Sequence, residues 1–211
     1  MGSSCGERPA KPSTPHEVTM KVDIESLLED LTSGDDTKAE LAAISLSVIG
    51  NDAIPALRKN LKSKNADDRW WAVRTLAEMN NPPVDLLIKS LEDDSQEVQQ
   101  CGTLALCHHP DNRAIPKLLK LLQTPDTVTS NLAASALIAI GNESIPGLLS
   151  LFSELKDVSK IEATRAIACI EDPRAIPILM QTLDEDSLAS NYWAEEGLNR
   201  LGLSMVYMKP E

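Results

Sequence analysis

The sequence predicts an all-α protein, a right-handed α-solenoid of about six helical hairpins, and three observations carry that prediction. An Ile-Pro-x-Leu phrase recurs at Ile54-Pro55-Ala56-Leu57, Ile115-Pro116-Lys117-Leu118, Ile145-Pro146-Gly147-Leu148 and Ile176-Pro177-Ile178-Leu179, at spacings built from steps of 30 or 31 residues. Around it runs one apolar column: Ile24, Ile54, Val84, Ile115, Ile145 and Ile176. A second column, Leu46, Leu76, Leu106, Leu137, Ile167 and Leu198, repeats with the same period further along each unit. A fixed period of this length is the mark of stacked helical repeats.

Each unit opens with a helix, A. Three residues after the first column stand Leu27, Leu57, Leu87, Leu118, Leu148 and Leu179, and seven after it Leu31, Leu61, Leu91, Leu122, Phe152 and Leu183. Apolar residues at i, i+3 and i+7 describe one buried face. Proline after the Ile suits the first turn, where its missing N–H costs nothing. A polar, acidic turn follows, as in Glu92-Asp93-Asp94-Ser95, Asp184-Glu185-Asp186-Ser187, Thr124-Pro125-Asp126 and Asp67-Asp68. These residues read as caps for the next helix and as solvated surface.

That next helix, B, carries the second column. Four residues before each of its large residues stands a small one: Ala42, Ala72, Gly102, Ala133, Ala163 and Ala194. The residue just before is small as well: Ser45, Thr75, Ala105, Ala136, Ala166 and Gly197. Small residues at fixed register let neighbouring helices approach closely. Gly50, Gly141 and Gly202 end three of these helices, and His109-Pro110 and Asp172-Pro173 end two more. The units are therefore about 22–50, 51–80, 81–110, 111–141, 142–172 and 173–203, within a repeat region of 18–203.

Residues 1–17 are Ser-, Pro- and Gly-rich and read as a disordered leader, and 204–211 form a tail. The apolar Met205-Val206-Tyr207-Met208 is expected to cover the open end of the stack or to bind a partner. A net charge of -12 argues against non-specific adhesion to nucleic acid or anionic membrane. No run of about 18 apolar residues occurs, so no membrane span is expected. The cytoplasm is the expected location, with a lipoprotein anchored through Cys5 as the alternative. Cys5, Cys101, Cys107 and Cys169 include no CxxC and read as free thiols.

At this level the pattern can be matched to a family. Ala-Ile-Pro-x-Leu, an acidic turn and an Ala-rich helix closing in Leu-Gly resemble the HEAT-like repeat, in the short form of about 30 residues found in phycobilisome-lyase-type proteins. The resemblance covers roughly residues 22–203 and implies an α-solenoid of the HEAT or armadillo type. In one respect the chain departs from the family. Of the Val-Arg pair often opening helix B, only Val98 keeps the Val and only Arg69 and Lys160 keep a cation, which puts a basic inner ladder in doubt.

Chemistry is sparse. The sequence holds no P-loop, GxGxxG, HExxH or GxSxG. Cys107-His108-His109 with Cys101 reads as a helix end, since adjacent residues diverge around the axis. HEAT-like hydroxylases carry repeated His-Glu pairs, but here only His16-Glu17 occurs, in the leader. No catalytic residue, metal or cofactor is assigned, and the chain is not expected to be an enzyme.

Binding is placed on helix B, six and two positions before the repeating Leu, where side chains should face outward. Trp70, Gln100, Asn131 and Tyr192 occupy the first position, and Arg74, Ser135, Arg165 and Glu196 the second. Trp70, Arg74, Gln100, Asn131, Arg165 and Tyr192 are the candidate partner-binding residues, with Trp71 assigned to packing. The expected function is a non-enzymatic scaffold for a protein partner of unknown identity. Family resemblance offers an alternative, an accessory subunit of a bilin lyase. Basic residues of the second unit (Arg58, Lys59, Lys62, Lys64, Arg69 and Arg74) suggest another, a phosphate or nucleic-acid contact beside Trp70. Against the acidic last unit they also suggest head-to-tail self-association.

Overall fold

A computed structural model describes residues 23–203, and the expectations for the leader and the C-terminal tail lie outside them. Among the described residues the ordered elements are all helical. The short A helices are α1 (Ile24–Leu31), α3 (Ile54–Asn60), α5 (Val84–Ser90), α7 (Ile115–Leu122), α9 (Ile145–Leu151) and α11 (Ile176–Thr182). Each starts at its unit's Ile or Val, and in four of them proline occupies the first turn. Their longer partners are α2 (Asp36–Ile49), α4 (Ala66–Ala77), α6 (Gln96–His108), α8 (Thr127–Ile140), α10 (Asp157–Ile170) and α12 (Leu188–Arg200).

The caps follow the sequence chemistry in most units. Asp35 accepts from the N–H groups of Thr37 and Lys38, and Asp126 from Thr129 N–H at 2.7 Å. Ser95 and Ser187 play the same part for α6 and α12. At α4 the cap is Asn65, and Asp67 and Asp68 sit inside the first turn. There they act on the helix dipole without closing the cap. Beyond the B helices, Gly50 and Gly141 stand at φ 70° and 87°, a region that a Cβ disfavours. Glu171 takes the corresponding place after α10 at φ 60°.

One continuous core lies between the two layers. The B-helix column from Leu46 through Ile167 is fully buried, as are Leu57, Leu87, Leu118, Leu148 and Leu179 of the A helices. B helices pack closely on one another along the whole chain, whereas A helices touch each other little. The small-residue columns explain the difference. A Cβ on Gly197 of α12 would lie 2.9 Å from the Cα of Ala168 in α10, inside backbone contact. The buried hydroxyls of Thr75, Thr103 and Thr164 donate to the carbonyls of Trp71, Gln99 and Lys160 one turn earlier, so the tight layer leaves them satisfied.

One stretch, Asp36–Asn60, is long and apolar enough by length and composition to be weighed as a membrane span, against the reading from sequence. It is α2 and α3 with the Gly50 break between them. Ala42, Ala43, Leu46, Ala53 and Leu57 from it are spent in the solenoid core.

The packing sets two expectations for equilibrium urea unfolding. Leu137→Ala should cost about 2–5 kcal/mol, as for other fully buried leucines. Gly197→Ala should cost about 1–3 kcal/mol because backbone, unlike a side-chain tip, cannot rotate away. A loss below about 0.5 kcal/mol for either would contradict this register.

Candidate partner-binding face

The candidate face is the outward side of the B helices, where successive turns present side chains along a ladder. Trp70 and Trp71 are both half-buried against the core and meet edge to face, with centroids 4.9 Å apart. Packing is therefore shared between the two indoles and not assigned to Trp71 alone. Tyr192 is 60% exposed and stacks edge to face on Trp193 at 5.2 Å. Arg74 pairs with Glu40 of the preceding repeat at 3.1 Å and with Glu78 of its own helix.

Gln100 donates to Asp126 Oδ2 at 3.1 Å and Thr129 Oγ1 at 3.0 Å, so it is joined to the N-terminus of α8. Asn131 and Arg165 come together. Asn131 Nδ2 donates to Glu162 at 3.2 Å, and Arg165 reaches Glu162 at 2.7 Å and both Asn131 O and Ser135 Oγ at 3.1 Å. Trp70 with Arg74 stands near one end of the solenoid, the Asn131–Arg165 cluster in its fourth and fifth units, and Tyr192 in its last.

Sequence reasoning passed over the apolar members of the same columns. Ile44 and Leu104 occupy the register of Arg74 and Arg165 and are 47% and 50% exposed. Leu41, in the register of Trp71 and Trp193, is 63% exposed, and Val48 is 82% exposed. Extending the column arithmetic from polar to apolar residues would have found them.

The cations are also placed differently from the expectation. Arg58 and Lys62 lie with Lys89 along a shallow cleft of about 330 Å³ between α3 and α5, on the A side. Trp70 instead faces a cleft of about 670 Å³ lined by Asp36, Glu40, Asp67 and Asp68. An anionic ligand beside Trp70 would meet carboxylates.

The departure from a basic ladder has a structural meaning. Arg69 holds Asp93 through two bonds, at 2.7 and 2.8 Å, with both side chains 14% exposed. Lys160 holds Glu185 at 2.6 Å. Both cations stitch a B helix to the acidic turn of the next unit, so Asp93 and Glu185 are joints between repeats, while Ser95 and Ser187 do the capping.

Among the described residues Cys101, Cys107 and Cys169 are free thiols. Burial pushes the Cys101 thiol up to about 11 and raises that of Cys107, against opposing attraction from Arg74 and Arg165 respectively. Both are thiols at neutral pH and poor nucleophiles. Among the described residues no group of three or more His, Cys, Asp and Glu is arranged to hold a metal. His109 Nε2 lies 3.0 Å from Ala77 O, a bond between units at the end of α6.

Residues 24–100 and 84–168 match the family model of HEAT repeats. The chain belongs to the HEAT-repeat family. Over 103 residues it is 33% identical to Bilin biosynthesis protein RpcF of Synechococcus sp. (strain WH8020), covering 48% of this chain and 49% of that one. It thus spans about half the length of that curated relative. Among solved structures, the complex of CpcE and CpcF of phycocyanin lyase from Nostoc sp. PCC7120 matches at TM-score 0.54 and 20% identity, over 68% of this chain and 96% of that one. A designed armadillo repeat protein matches at 0.51 and 20%, over 85% and 100%. At these identities the structural likeness shows the fold alone, a HEAT or armadillo solenoid.

The Arg69–Asp93 stitch predicts a pH dependence. Burial works against the Asp93 carboxylate, but the Arg69 bonds, the Ser95 N–H and the Arg69 charge together hold its pKa below the ordinary 3.8. A folded value below the unfolded one adds stability above the ordinary carboxylate range, and that stability disappears as pH falls through the folded value. Asp93→Asn should therefore cost about 1.5–3 kcal/mol at neutral pH. In urea unfolding the gap from wild type should narrow as pH falls through the carboxylate's lowered folded value. A gap independent of pH would contradict the assignment.

Proposed function

We propose that this chain is a non-catalytic HEAT-repeat scaffold that docks a protein partner along its B-helix face. One observation carries the reading. Leu41, Ile44, Val48, Leu104, Val128, Leu188 and Tyr192, seven of the large apolar side chains left exposed, stand on B helices, against Met180 alone on an A helix. Such residues scattered singly need no explanation, but their concentration in one layer supports an interaction surface there. Tyr192 is the kind of amphipathic ring that anchors interfaces.

The arginines in this face are already paired to carboxylates, which makes them orienting groups at the rim more than free cations. Partner binding by repeat relatives is consistent with this use: CpcE and CpcF form a complex, and a designed armadillo repeat protein of similar fold has been seen with the peptide (KR)4.

A second reading is favoured by the match to RpcF, a bilin biosynthesis protein. In it the same solenoid is a subunit of a bilin lyase and its B face meets a companion subunit or a chromophore-bearing protein. A visible absorbance change when bilin is added to the purified chain would favour that reading.

The scaffold reading is tested by affinity recovery from an extract of the native organism. A folded Leu104→Ser/Tyr192→Ala variant should recover the partner at least about tenfold less than wild type, the loss expected when interface anchors are truncated. Undiminished recovery would contradict it.

A further inference from the structure

The cleft beside Trp70 is a built feature. Its walls are the end of α1 with the turn after it (Leu31–Gly34), the start of α2 (Asp36, Glu40) and the start of α4 with its cap (Asn65, Asp67, Asp68, Trp70, Trp71). Leu31 is fully buried beneath it and the two indoles are half-buried. Of its carboxylates, Asp68 accepts from Ser63 Oγ at 2.7 Å and Glu40 from Arg74 at 3.1 Å. Asp36 and Asp67 are exposed in the first turns of α2 and α4. No lysine or arginine is among the lining residues.

Two helix N-termini point the other way electrostatically, at about +0.5 each, and Arg74 contributes one further positive charge. Four carboxylates outweigh them, leaving the cleft negative by about two charges. Aromatic rings beside carboxylates form a setting for a cation, and for a guanidinium before an ammonium, since it is less strongly hydrated and stacks on indole.

The cleft continues into an apolar strip. Glu40, Ile44 and Val48 follow one another at successive turns of α2, with Leu41 beside them, over about 12 Å of helix axis. The exposed apolar residues thus begin where the acidic cleft ends.

We infer that the first two repeats form a docking site for a partner segment that carries an arginine followed by apolar side chains, the guanidinium entering the Trp70 cleft and the apolar residues lying on Ile44 and Val48. This rests on the scaffold reading and names the chemistry of its partner. The spacing fits two turns of an amphipathic helix or about four extended residues. An anionic membrane or a nucleic acid is repelled by the same carboxylates.

The test uses the full chain and a fluorescein-labelled amphipathic peptide with one arginine, leucines three and four residues apart and glutamines elsewhere, read by fluorescence anisotropy. Low peptide charge matters because the whole protein is at -12 and would attract any polycation. Asp36→Asn/Asp67→Asn should weaken binding about tenfold or more, and so should Ile44→Ser/Val48→Ser. Asp186→Asn/Glu195→Gln, which changes net charge equally at the far end, should leave binding unchanged. Replacing the peptide's arginine with glutamate should abolish binding.

The inference is overturned if the arginine peptide fails to bind, if the glutamate peptide binds as well, or if the two charge-matched double variants weaken binding equally. Any of these with the partner still lost on Leu104→Ser/Tyr192→Ala leaves the scaffold reading standing without this site. Undiminished partner recovery by that variant contradicts the scaffold reading while a positive peptide result supports the site on its own.

Discussion

Everything in this molecule depends on how closely neighbouring B helices approach. Ala42, Ala72, Gly102, Ala133, Ala163 and Ala194 remove side-chain bulk at one register, and the residue before each large apolar one removes it at another. At Gly197 the neighbouring backbone is near enough to exclude even a methyl group. The A helices carry leucines and isoleucines at the matching positions and stay apart. One layer is thus packed tightly and the other loosely.

The polar contacts follow from that geometry. Between units, Arg69 with Asp93, Lys160 with Glu185, and Gln100 with Asp126 connect the start of one B helix to the turn or helix start of the next. Further along the helices, Arg165 binds Glu162, Asn131 and Ser135 across two repeats. These bonds engage Arg69, Lys160 and Arg165, three of the cations that the sequence places on the B helices. Beside them lies exposed apolar and aromatic surface, joined at one end to an acidic cleft. The division is physical: charge joins neighbouring repeats, and Ile44, Val48, Leu104 and Tyr192 stay exposed on the B helices, where the proposed scaffold would use them.

Much of this was legible in the residues. Period and proline position predict a short helix at each Ile or Val of the first column, where every A helix starts, because a repeat must satisfy the same packing problem six times. The ends were less legible, and Leu61, Leu91, Phe152 and Leu183 stand just past them. The candidate face was legible as a register and less so as chemistry. Trp70, Arg74 and Arg165 stand on it, but column arithmetic gives a direction and not a partner, so the closure of Arg165 on Glu162 was not legible. The sign of the Trp70 cleft was hidden because its acids come from two units, Asp36 and Glu40 in the first and Asp67 and Asp68 in the second. Nearby basic residues in sequence, Arg58 and Lys62, turn to the opposite layer. A chain of 30-residue units puts sequence neighbours on opposite sides and distant residues together.

Native-state hydrogen exchange, followed helix by helix in the free chain, tests the central claim that stability is passed from one B helix to the next. Interior units lean on two neighbours and terminal units on one. The account predicts the slowest exchange in α8 and α10 and progressively faster exchange toward α2, with each A helix no slower than its B partner. Uniform protection from α2 to α12, or A helices slower than B helices, would contradict it.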